Sequence, residues 1–318
     1  MDLVIWIVIA AALVAGSTPI TSGGMWRINQ KEFAKYVTPA GLPVPEHVRE
    51  PLIRRIASRE RWASWAALAA LLLAVIVCLV LGWTESEGGV VLMLAVPFGA
   101  SVGAAIAILV NRREFTPGAP RVARSQDASV ADYVTPVRLW IARLSPVAAA
   151  VAFGAGMLFL GMLPPVVRDA TATWWFHASW ISVLLTLISV GVNEWLARRV
   201  LDHPQPSESR LELAWDDVCR GDTVRALYAN SVAFGVLSCF ASLLMVGLVS
   251  IDPQVRAGAM QLTLVLATVM FVLVTILILG LLIPLLVDWF GGRHPRRHVL
   301  QRLWSEVDFE VDGRERTC

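Results

Sequence analysis

The chain has 318 residues, of which 56% are hydrophobic and 16% charged, with a mean hydropathy of +0.63 and a formal net charge of +2. Soluble domains carry roughly 25% charged residues and about 45–50% apolar ones. A soluble globular domain and a disordered chain are both excluded, and the composition is that of a multi-spanning membrane protein.

Seven stretches lack Asp, Glu, Lys and Arg: Leu3–Trp26, Trp62–Thr84, Gly88–Asn111, Leu144–Val167, Ala170–Asn193, Ala226–Ile251 and Ala257–Val287. Each exceeds the about 20 apolar residues that cross about 30 Å of hydrocarbon as a helix. A backbone in lipid must satisfy its own hydrogen bonds, so each stretch is predicted helical. The alternating segments of about 10 residues that build an outer-membrane barrel are not present in the sequence. The expected fold is all-α: a polytopic transmembrane helical bundle of seven helices at 3–22, 62–83, 89–110, 144–163, 174–196, 226–250 and 259–287. It is read as a single membrane domain over 1–318, with connections 27–61, 112–143 and 197–225 and a tail 288–318. The first stretch competes with a secretory signal peptide. The start Met1-Asp2-Leu3 lacks the positive segment such a peptide needs, so a retained helix is expected.

Charge sets the orientation. Of the 27 Lys and Arg residues, 25 fall in the connections 27–61, 112–143 and 197–225 or in the tail, and only Arg168 and Arg256 lie opposite. By the positive-inside rule the expected topology is N-terminus out, C-terminus in, with almost nothing outside. Trp62, Trp65, Trp140, Trp195 and Trp289 fall at the predicted inner boundary and Trp83, Trp174 and Trp175 at the outer one. Indole prefers that interface because its ring is apolar and its N–H wants water. The basic inner face would favour anionic lipid, by about 1 kcal/mol per basic residue. Nucleic acid is not an expected partner, since no binding motif accompanies these charges. The two Lys against 25 Arg, with abundant Ala and Val, fit a high-GC bacterial genome. Cys78, Cys219, Cys239 and Cys318 all fall in the membrane or inside, so no disulfide is expected.

The inner connections contain short helices. In the first, Val48, Leu52 and Ile56 recur among Arg49, Arg54, Arg55 and Arg59 and predict a basic amphipathic helix lying on the inner leaflet. In the third, Ser209 and Glu212 fit a capping box, followed by an apolar stripe of Leu211, Trp215 and Val218. Gly221 is predicted to stop that helix and Asp222 to cap the sixth membrane helix. Two internal echoes stand out: RR-x6-P-x3-R at Arg112 and again at Arg198, and Tyr-Val-Thr-Pro at Tyr36 and at Tyr133. The first would make helices 3–4 and 5–6 parallel repeats.

Candidate chemistry is sparse. Intramembrane ionisable groups usually mark ion or substrate pathways; the apolar stretches hold only His177, beside Trp174, Trp175 and Trp180. A retinal protein of rhodopsin type needs a lysine in its last helix, and no lysine follows Lys35. Glu208, Glu212 and Asp216 share one face of the inner helix with Asp217 adjacent, a hard-cation or partner face; the competing reading is a solvated face paired to Arg220. His294 and His298 are separated by Pro295 without an acid motif, and HExxH, P-loop and GxSxG patterns are absent. Gly99 and Gly103 form GxxxG just past Pro97, a helix-packing or pathway feature.

The stretch Glu212–Arg225, reading ELAWDDVCRGDTVR, and residues 42–62, reading LPVPEHVREPLIRRIASRERW, resemble cytoplasmic segments of a family of uncharacterised multi-spanning membrane proteins of high-GC bacteria. That resemblance implies a plasma-membrane protein and assigns no catalytic residue. The expected function is that of a non-enzymatic membrane component without cofactor or metal. It would contact a cytoplasmic protein partner through Glu208, Glu212, Trp215, Asp216, Asp217 and Arg220, or anionic lipid at the bilayer's inner face. The alternative is a transporter for a weakly polar or lipid-like solute, with Pro97, Gly99 and Gly103 near its pathway.

Overall fold

A computed structural model of the chain describes residues 30–82, 86–110, 128–162, 165–204, 207, 209–251, 261–290, 295–305, 308–309 and 315–316. The described residues form α1 (Gln30–Val37), α2 (Glu46–Val80), α3 (Ser86–Val110), α4 (Val130–Tyr133), α5 (Pro136–Gly161), α6 (Pro165–Asp202), α7 (Arg210–Ile251), α8 (Gln261–Phe290) and α9 (Pro295–Leu303). A two-residue antiparallel ladder, β1 (Asp308–Phe309) with β2 (Glu315–Arg316), pairs Asp308 with Arg316 and Phe309 with Glu315. The fold is thus helical, with four helical stretches long and apolar enough to cross a membrane: Glu46–Val80, Pro136–Gly161, Ser179–Asp202 and Arg210–Leu243. The helix expected at 3–22 and the Arg112 copy of the basic echo lie outside the described residues.

Two expectations are corrected. The segment around Val48 does not form a separate helix: it is the start of α2, which runs unbroken for 35 residues into the second apolar stretch. The break predicted at Gly221 is also absent, because α7 continues through Gly221 and Asp222 for 42 residues. A mid-helix glycine costs only about 1 kcal/mol relative to Ala, and packing overrides it here. A Cβ on Gly221 would lie 2.9 Å from Val299 Cγ2 and 3.4 Å from Tyr133 Cδ1. This glycine lets neighbours come close and does not end the helix.

The chain divides into two compact units, one made of Met1–Pro136, Glu194–Leu227 and Gly292–Cys318, the other of Val137–Asn193 and Tyr228–Gly291. In the first, α2 and α3 pack through Ala67, Leu71, Ala74, Cys78, Leu92 and Val96. Gly99 and Gly103 sit against the α2 backbone. Added Cβ atoms would come within 2.5 Å of the Ala66 carbonyl oxygen and 2.3 Å of the Trp62 carbonyl oxygen. Small residues at this spacing let helices approach where lipid supplies no hydrophobic drive. Trp62, Trp65, Trp140 and Trp195 all reach the surface, at 36%, 62%, 65% and 58% exposure.

The second unit exposes apolar residues and buries one polar helix face. Val147, Val151, Leu158, Leu184, Leu187, Ile188, Val265, Val269 and Ile276 are exposed, while Ser179, Ser182, Thr186, Ser189 and Asn193 of α6 are buried. Those five recur three or four residues apart, which places them on one helix face. They meet polar residues of α7. Thr186 Oγ1 and Ser238 Oγ are 2.8 Å apart, and Asn193 Nδ2 donates to Ser189 Oγ and Ser231 Oγ at 3.0 Å each. From α5, Ser145 Oγ donates to the Ser231 carbonyl oxygen at 3.0 Å, beside Gly235. Apolar outside and hydrogen-bonded inside is the arrangement that suits a lipid solvent.

Candidate functional site

The first four turns of α7 organise the charged end of the first unit. Ser209 Oγ accepts from the Glu212 N–H at 3.2 Å, the first of the two bonds of the expected capping box. The stripe of Leu211, Trp215 and Val218, joined by Ala214 and Cys219, then packs on Val48, Leu52 and Ile56 of α2 and on Ala40 and Leu42. Two stripes read separately in the sequence therefore bury each other. The Trp215 indole N–H, inside this core, donates to the Pro43 carbonyl oxygen at 3.1 Å.

Around this core α7 presents Asp216, Asp217, Arg220, Asp222 and Arg225. Asp216 bridges two guanidinium groups: Arg55 Nη1 donates to Oδ1 and Arg220 Nε to Oδ2, both at 2.9 Å. The remaining nitrogens of Arg220 close the end of α6. Nη1 donates to the carbonyls of Val200 and His203 at 2.8 Å, and Nη2 to that of Pro204 at 3.2 Å. The last carbonyls of a helix have no intrahelical partner and carry its negative dipole end, so a 3%-exposed cation there satisfies both.

Asp217 is fully buried and held by neutral donors, the Tyr133 hydroxyl at 2.8 Å and the Trp304 indole at 2.9 Å. Asp222 collects three arginines. Arg225 Nη2 donates to Oδ1, Arg296 Nε donates to Oδ2 at 2.9 Å, and Arg59 Nη1 stands 3.9 Å from Oδ2. Arg296 also lies over the Tyr36 ring, 3.9 Å from its centroid, and donates to the Tyr36 carbonyl. The Tyr36 hydroxyl donates to Cys219 Sγ at 3.4 Å. Burial pushes the Tyr36 phenol well above its ordinary range; Cys219 and Asp222 add to this and Arg59 opposes it.

Of the residues expected at a partner surface, Trp215, Asp217 and Arg220 face inward against the chain's own segments. Asp216 is occupied by Arg55 and Arg220, Glu212 remains half-buried, and Glu208 lies outside the described residues. Among the described residues no three His, Cys, Asp or Glu side chains come together as a metal site would need. Sequence reading missed Arg55, Arg59, Asp222, Arg225, Arg296, Trp304 and the polar face of α6. One signal was available: both tyrosines of the Tyr-Val-Thr-Pro echo, Tyr36 and Tyr133, reach α7, at Cys219 and Asp217. No protein-family model, no curated protein and no solved structure matches this chain.

Proposed function

We propose that this is a seven-helix, multi-pass protein of a bacterial plasma membrane, N-terminus out and C-terminus in, and that it acts as a non-enzymatic membrane component through a folded cytoplasmic cap. One observation carries the reading. Segments distant in sequence (α1, the first turns of α2, α4 and α9) meet the first turns of α7 in one shared core and ion network. Loops that only joined spans would need no such core. Buried ion pairs contribute little net stability but define geometry, which supports a cap whose role is to hold a fixed outer surface. That surface includes Arg54 and Glu50, at 72% and 76% side-chain exposure.

The cap would contact a cytoplasmic protein or the anionic inner leaflet. Reporter fusions after residues 87, 125, 169, 205, 254 and 318 test the topology, with alternation and an inside C-terminus expected; an outside C-terminus overturns it. Purification in mild detergent tests the role. A stoichiometric co-purifying protein, or retained anionic phospholipid, is expected. Recovery with neither moves the reading to its alternative, a permease for a weakly polar or lipid-like solute. The polar face of α6, from Ser179 to Asn193, favours that alternative, and an uptake difference between deletion and wild-type cells would establish it.

A further inference from the structure

The ion network of the cap is not evenly balanced. Asp216 has Arg55 and Arg220, and Asp217 has its two neutral donors. Around Asp222 three guanidinium groups converge from three elements: Arg59 of α2, Arg225 of α7 and Arg296 of α9. Glu60 also acts on Arg59.

Arg59 is the least satisfied of the three. Its Nε is buried and has no hydrogen-bond partner, and its Nη1 is too far from Asp222, at 3.9 Å, for a hydrogen bond. A buried N–H donor left without a hydrogen bond is costly. The side chain keeps 18% exposure, Arg296 15% and Asp222 12%, so the cluster is reachable from solvent. Arg59 also lies three residues before the apolar stretch that starts at Trp62, the depth of lipid headgroups on the reading above.

We propose that Arg59, with Arg296 and Arg225 held in place by Asp222, forms a binding site for a phosphate-bearing anion. A guanidinium fork matches the oxygens of a phosphate group and forms charge-assisted hydrogen bonds with them. The same chemistry serves an anionic phospholipid headgroup or a soluble phosphate compound. The site rests on the cap being cytoplasmic only for the choice between those two sources.

The test uses the full chain in detergent, following thermal unfolding against inorganic phosphate, against phosphatidylglycerol in mixed micelles, and against phosphatidylcholine. Sodium chloride at matched ionic strength corrects for screening. Wild-type protein is expected to be stabilised by at least one anionic probe beyond the salt control, and not by phosphatidylcholine. Arg59→Gln should weaken the response about tenfold or more, while Arg302→Gln, the same charge change at an exposed position of α9, should leave it intact. A response to phosphatidylglycerol alone identifies a lipid headgroup, and a response to phosphate identifies a soluble ligand. No response to either probe, or an Arg59→Gln response equal to wild type, overturns the site. If Arg59→Gln does not elute as folded protein, Arg59→Lys takes its place: it keeps the charge and lacks Nε, and an undiminished response there also overturns the site. The topology fusions are read independently, so failure of the site and failure of the membrane reading remain distinguishable.

Discussion

The indole N–H of Trp215 donates to the carbonyl oxygen of Pro43 at 3.1 Å, with the ring only 1% exposed. The bond ties the entry of α2 to the first turns of α7, between segments far apart in the chain. Trp215 therefore serves as an internal anchor.

Trp215→Ala should destabilise the cap by about 3–5 kcal/mol, the usual cost of removing a large buried aromatic side chain. Trp215→Phe should cost less, since it retains most of the packing and loses the hydrogen bond. Limited proteolysis between residues 38 and 45 reports the loss: faster cleavage is expected in the order wild type, Phe, Ala. Equal cleavage in all three would mean that the two stripes do not bury each other.

Arg220 carries more than its ion pair. Arg220→Met should destabilise by about 3–5 kcal/mol, because Asp216 loses a partner and the carbonyls at the end of α6 lose their donor together. Arg220→Lys should rescue little, since one ammonium cannot address both ends of the fork. Thermal unfolding in detergent distinguishes these outcomes; full rescue by Lys would reduce the role of Arg220 to charge alone.

The α2–α3 crossing has no room for side chains at Gly103. Gly103→Val should lower the yield of folded protein sharply, because its neighbour is the backbone carbonyl of Trp62, 2.3 Å from an added Cβ. Overpacking against mobile side chains costs about 1–3 kcal/mol, and backbone yields less readily. Gly154→Val is the comparison, as nothing lies within 4 Å of a Cβ there. It should express as wild type.

The Thr186–Ser238 contact links α6 to α7 inside an apolar surround. A double-mutant cycle of Thr186→Val and Ser238→Ala should return a coupling of about 0.6 kcal/mol, typical for such bonds between membrane helices. A coupling near zero would remove the polar face as a determinant of that packing.

Alkaline pH should act through Tyr36. Its phenol ionises less readily folded than unfolded, so above about pH 10 the unfolded state binds fewer protons and stability falls as pH rises. Below that pH the contribution is fully present. Spectrophotometric titration of wild type and Tyr36→Phe isolates this residue, and the difference between the two should show Tyr36 ionising only as the protein unfolds. A reversible ionisation of Tyr36 near pH 10 in folded protein would contradict its burial.

Much of this architecture is legible from one dimension. Charge-free length and basic asymmetry are properties of the chain alone, because the bilayer imposes a thickness and an electrical sidedness on any sequence. The capped start at Ser209 follows equally from local rules. Which surface each apolar stripe meets does not. Val48, Leu52 and Ile56 would satisfy lipid as well as they satisfy Trp215, and periodicity cannot separate two apolar solvents. Nor can local rules weigh Gly221: its helix-ending tendency is worth about 1 kcal/mol, less than the packing of Val299 and Tyr133 that its missing side chain permits. The sequence by itself determined a helical chain with long apolar spans and charged connections. Only the tertiary structure decided that those connections fold on one another around Asp216, Asp217 and Asp222, because beyond the local pairs with Arg220 and Arg225 those carboxylates take Arg55, Tyr133, Trp304, Arg59 and Arg296 from segments that no local pattern joins.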